Sequence, residues 1–165
     1  MKMILLTVGL LVGCHSATAE TAVIQGNVQS KCIINVEKAG VYGNPTADKL
    51  STAAADGGVE PVIRYDVLLA DAYDAKITHP STFSASPSLT DNVTWTGSTS
   101  VKEVSDTGMA GYEAAKVTYG NTTEFDLTVA GSTWFKTSSA ATYGAGKALP
   151  AGNYRAVVEA ECIAK

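Results

Sequence analysis

From Thr21 to Val36 the chain alternates without a break, and the run is too long for one strand of a small domain. Ala22, Ile24, Gly26, Val28, Ser30, Cys32, Ile34 and Val36 share one face, and Thr21, Val23, Gln25, Asn27, Gln29, Lys31, Ile33 and Asn35 share the other. A period of two, apolar or small against mostly polar, is the pattern of a half-buried strand. At roughly 3.3 Å per residue such a run reaches about 50 Å. An ordinary strand covers only about 17–20 Å. The segment therefore either bends between two sheets of its own domain or projects from that domain as a strand offered to a neighbour.

What precedes it reads as an export leader. Lys2 stands before an apolar run from Met3 to Gly13, and Ala17-Thr18-Ala19 forms a small-x-small cleavage site ahead of Glu20. The run is shorter than the roughly 20 apolar residues that a membrane-spanning helix needs. Leu11-Val12-Gly13-Cys14 also matches the lipobox of bacterial lipoproteins, in which Cys14 would carry the lipid anchor. Residues 1–19 are read as the signal peptide and residues 20–165 as a single domain, since no linker, repeat or change of composition divides them.

Without the leader, 11 basic residues face 16 acidic ones, a net charge of 11 − 16 = −5 with His neutral. An acidic domain with no basic run argues against nucleic acid or an anionic membrane surface as partner, and no later apolar stretch is long enough to span a bilayer. Beyond Cys14 only Cys32 and Cys162 remain, one near each end. In an exported chain such a pair is most simply a disulfide, which sets the first and last strands side by side or face to face.

Thr, Ser, Ala, Val and Gly dominate, and few long helix formers fall in helical register, so the composition favours an all-β protein. Residues 37–60 are rich in turn signals, with a weak helical turn between Thr46 and Ala55. Beyond them, alternation predicts strands at Ile63–Leu69, Tyr73–Thr78, Val93–Thr96, Val101–Val104, Glu124–Ala130 and Ser132–Lys136, with a weaker candidate at Ala115–Tyr119. Trp134 and Phe135 are adjacent, so a regular strand sends them to opposite faces and leaves one available for exposure. A last strand of about a dozen residues follows Gly152 and turns Tyr154, Ala156, Val158, Ala160, Cys162 and Ala164 to one side. Seven or eight strands at this spacing make a β-sandwich.

The two ends resemble the subunits of bacterial chaperone–usher pili. Those proteins begin with an alternating apolar extension that has a Gly near its middle, followed by a Cys that opens the body of the fold. The corresponding residues here are Ala22, Ile24, Gly26 and Val28, then Cys32. Their last strand begins with a Gly fourteen residues from the end, where this chain has Gly152 in the phrase Leu149-Pro150-Ala151-Gly152-Asn153-Tyr154. Two features depart from the pattern. Ala164 stands where the family usually has an aromatic residue, and the second Cys lies in the last strand rather than the second. The resemblance covers about thirty residues at the termini.

The resemblance implies an immunoglobulin-like sandwich of about seven strands with an N-terminal extension strand, residues 20–30. That extension would enter a groove in the next copy of the chain, with Ala22, Ile24 and Val28 as the inserted side chains and Gly26 passing a bulky groove residue. It further implies a pilus or other surface fibre reached through the periplasm, other copies or related subunits as partners with a periplasmic chaperone and usher, and no cofactor.

Catalytic chemistry has little support in the residues. His79, the one His after the leader, has no evident partner, and the cysteines lack CxxC spacing. No nucleophile elbow, phosphate loop or HExxH pattern occurs, so the chain is read as a non-enzyme. Asp71 with Asp74, and Asp56 with Glu60, lack the ligand density of a calcium loop. Asn92-Val93-Thr94 and Asn121-Thr122-Thr123 match the glycosylation sequon and are read as polar strand and turn residues. Trp95, Trp134 and Phe135 are read first as core and second as a carbohydrate-binding face. The competing description is a monomeric exported binding module or lipoprotein whose first strand completes its own sheet.

Overall fold

The structure is a computed structural model that describes Gln25 and residues 31–68, 72–144 and 146–165. Among these residues ten strands form two antiparallel sheets, against the seven or eight expected. They are β1 (Cys32–Lys38), β2 (Gly43–Thr46), β3 (Lys49–Ser51), β4 (Val62–Val67), β5 (Tyr73–Thr78), β6 (Val93–Val104), β7 (Val117–Tyr119), β8 (Thr122–Leu127), β9 (Gly131–Tyr143) and β10 (Glu159–Ala164). A single helical turn, α1 (Tyr112–Ala115), precedes β7.

Strand β9 organises the first sheet. Along one side it pairs with β6; along the other it pairs with β4 over its first half and with β3 over its second. β1 joins the outer side of β4, and β2 joins β3. The second sheet runs β10-β5-β8-β7. An immunoglobulin-type sandwich orders its strands A-B-E-D in one sheet and C-F-G in the other. Here β1, β4, β9 and β6 take the places of A, B, E and D, while β5 and β10 take those of C and F. The β7–β8 hairpin lies on the far side of β5. Among the described residues, no strand pairs with the side of β10 where G would lie.

Alternation puts the core where expected. Ile63, Tyr65 and Val67 of β4, Tyr73, Ala75 and Ile77 of β5, and Phe125 and Leu127 of β8 are all buried and pack together with Phe135 of β9. The Tyr65 and Phe135 rings meet edge to face at 5.4 Å, and Phe125 approaches Phe135 from the opposite sheet at 4.4 Å. α1 closes the edge between β6 and β8, where the buried Tyr112 hydroxyl accepts from the amides of Thr128 and Val129. Cys32 and Cys162 form the expected disulfide, with their Cα atoms 6.5 Å apart.

Tyr65 pins one sheet to the other. Its hydroxyl donates to the main-chain carbonyls of Glu161 on β10, at 3.1 Å, and of Lys76 on β5, at 3.3 Å. Burial, with a smaller contribution from the Glu161 carboxylate, pushes this phenol well above its ordinary value. An unfolded phenol ionises near pH ~10, so the stability tied to neutral Tyr65 is complete below that pH and is lost as pH rises beyond it. Tyr65→Phe should therefore cost about 1 kcal/mol at pH 7 for the lost hydrogen bond. It should also flatten the fall in stability above pH ~10. Urea titrations of both proteins at neutral and alkaline pH test this, and parallel alkaline losses would contradict it.

Candidate functional site

The walls of the sandwich part on the side where β1 and β10 form the two sheet edges. At one end the disulfide holds these strands together. On the inward face of β1, Cys32 and Ile34 pack against the core, but Val36 is 71% exposed. The opposite wall behaves likewise. Ala160 and Val158 touch the core, and residues 152–158 then leave regular strand geometry. Their main hold is Arg155, whose amide and carbonyl bond the chain at Ala85 and Ser84.

Between the walls lies a groove of about 630 Å³. Val36 and the stretch from Ala39 to Tyr42 line one bank and Gly152 to Val158 the other, while Leu50, Thr52, Ile63 and Ser139 form the floor. The floor is half apolar, from Leu50 and Ile63, and its hydroxyls are paired. Tyr42 Oη lies 3.0 Å from Ser139 Oγ, and Thr52 Oγ1 accepts from the Ser139 amide at 2.8 Å. No buried side-chain nitrogen or oxygen among the described residues lacks a partner. Val41 and Val157 add exposed apolar surface along the banks.

Gly152 sits where the far bank begins, with φ at +153° and a Cβ position only 2.6 Å from the ring of Pro87. Both facts demand Gly there. Tyr154 meets Phe83 edge to face at 5.0 Å, and Phe83 meets Trp95 likewise at 4.7 Å, so an aromatic row supports the bank.

Ala22, Ile24, Gly26 and Val28 lie outside the described residues. The resemblance implied a groove but not what would line it: Leu50 of β3 and Ser139 of β9 lie in stretches with little alternating apolar signal, whereas Ile63 of β4 lies in an expected strand. The lining of Gly152, Tyr154, Ala156 and Val158 was legible as the final alternating run, although only its second half forms a regular strand.

The remaining candidates have structural explanations. His79, which follows β5, is buried against Gly97, where a Cβ would come within 2.6 Å of the imidazole. Its carbonyl accepts from Asn121 Nδ2 at 3.0 Å, which also occupies the amide of that sequon. Asp56 pairs with Lys49, Glu60 with Lys136 and Asp74 with Lys165, and Asp71 lies outside the described residues. The described residues contain no group of three or more His, Cys, Asp or Glu placed to hold a metal ion.

The three aromatics do not form one binding face. Phe135 is core, Trp95 turns inward at the end of the sandwich, and Trp134 lies on the outer face beneath the Arg64 guanidinium, 6.0 Å from its ring centre. Among the described residues no helix is long and apolar enough to cross a membrane. Comparison with family models, curated proteins and solved structures finds no match to this chain.

Proposed function

We propose that this chain is a structural subunit of an exported fibre, assembled when residues 20–30 of one copy enter the groove of the next. The observation that carries this reading is the groove itself. It is a mostly apolar trough flanked by two sheet edges, β1 and β10, each with one strand neighbour among the described residues. It lies where an immunoglobulin-type sandwich seats its seventh strand. A strand laid there gains main-chain hydrogen bonds and places alternate side chains on the floor. The ribbon of Ala22, Ile24, Gly26 and Val28 has the required alternation.

A contact between one copy's ribbon and another's groove is head-to-tail, so repetition gives a filament rather than a closed dimer. An exposed edge beside apolar surface also invites wrong pairing. That hazard supports a role for a periplasmic chaperone, and then an usher, in covering the groove before assembly. The leader and the disulfide support passage through an oxidising compartment.

Deletion of residues 20–29, followed by sizing of the exported protein, tests the proposal. The full chain is expected to form ladders and the deletion a stable monomer. If the deleted protein unfolds or aggregates instead, the ribbon completes its own domain and the molecule is a monomeric module.

A further inference from the structure

We propose that the Cys32–Cys162 bridge is an end-stop, closing the groove so that it admits a strand of about seven residues in one register. This rests on the strand-insertion reading above and adds what limits the inserted segment. Its occupant is residues 22–28 of a second copy.

Hydrogen-bonded strands lie about 4.8 Å apart, so a strand seated between two edges needs them roughly 9.6 Å apart. At the bridge the Cα atoms of β1 and β10 are 6.5 Å apart. No strand passes between them there. The groove obeys the same limit, since its lining begins at Val36 and Val158 and includes neither Ile34 nor Ala160.

The open bank, residues 152–158, is seven residues long, which at roughly 3.3 Å each gives about 23 Å. The stretch from Ala22 to Val28 is also seven residues, with its four small or apolar positions on one face. Length and periodicity therefore match a blind slot of this size. A slip by one residue would turn Thr21, Val23, Gln25 and Asn27 to the floor instead.

The stop also bears on which copy supplies the strand. The chain enters β1 through Lys31, whose carbonyl accepts from the Leu68 amide, so it arrives at the bridged end. To lie in its own groove the ribbon would have to reverse beside the bridge, where the edges are closest. A second copy's ribbon reaches the slot from the open end without that reversal.

Hydrogen exchange on the full chain carrying Ile24→Asp and Val28→Asp tests this, with a synthetic peptide of residues 20–30 added in trans. The substitutions disable the resident ribbon as a donor and leave the described sandwich untouched. With the bridge intact, the peptide should slow exchange by more than about tenfold at residues 156–158 and leave residues 160–163 unchanged. In the same chain with Cys32→Ala and Cys162→Ala, protection should spread into residues 160–163. Protection of 160–163 with the bridge intact would overturn the stop while leaving strand insertion standing. Protection that stays at 156–158 in the bridgeless chain would also overturn it. An absence of protection at either bank would overturn strand insertion itself.

Discussion

Phe135→Ala is expected to destabilise the domain by about 3–5 kcal/mol, whereas Trp134→Ala, one residue away, should cost far less. Phe135 has no exposed surface and joins the two sheets through its contacts with Tyr65 and Phe125. Truncation removes the buried ring and leaves a hole bounded by two aromatics fixed on β4 and β8. The walls are paired strands, so they collapse into the space only partly. Trp134 faces the other way, and its truncation loses a partly exposed ring and a contact with Arg64 that exposed cation–π pairs value at about 0.5–1 kcal/mol. Arg64 would keep its carboxylate partners Glu37 and Asp66. Urea midpoints of the two variants decide the matter. Equal shifts would mean that the assigned faces of β9 are wrong.

That adjacent pair illustrates what the sequence makes legible. Period-two alternation told the inward positions of β4, β5 and β8 from the outward ones, because there most inward positions carry an apolar side chain, with Thr123 of β8 the buried polar exception. It told where Trp134 and Phe135 must diverge, though not which of them goes inside.

Elsewhere the signal is carried by other chemistry. β9 runs on to Tyr143, seven residues beyond the expected end at Lys136, and its inward positions there are Thr137, Ser139, Ala141 and Tyr143. Small hydroxyl residues can face inward because each finds a partner, as Thr137 does with Thr99 at 3.1 Å. Hydropathy does not register such pairing. β2 and β3 fall in the stretch read as turns. Asn44 supports their hairpin by donating to the carbonyls of Thr46 and Lys49 at 2.7 and 2.8 Å. The expected helical turn near Thr46–Ala55 is a short 3₁₀ turn at Ala54–Asp56.

The final run shows the converse. Twelve alternating residues predicted one strand, yet only Glu159–Ala164 pair with β5. The first half holds its alternation as the bank of the groove. Pattern reports which face is apolar, and it is silent on whether that face meets its own core or another chain.

Replacing both Cys32 and Cys162 by Ala should cost about 4–5 kcal/mol, because the bridge closes a loop spanning 130 residues. Closing so long a loop removes much of the freedom of the unfolded chain. Domains of this size are commonly stable by only about 5–15 kcal/mol, so the loss consumes a large share of the total. The structure also localises the damage. Besides the bridge, β1 is held by β4 and β10 by β5, and both are edges among the described residues. With the tie cut, these two strands should open first, and their amides should lose protection before those of β9. The Tyr65 hydroxyl bond to Glu161 resists that opening but contributes only about 1 kcal/mol. Urea unfolding with hydrogen exchange on the double variant measures both effects. A midpoint unchanged from that of the oxidised protein, or uniform loss of protection across β1, β9 and β10, would show that the bridge does not govern this edge.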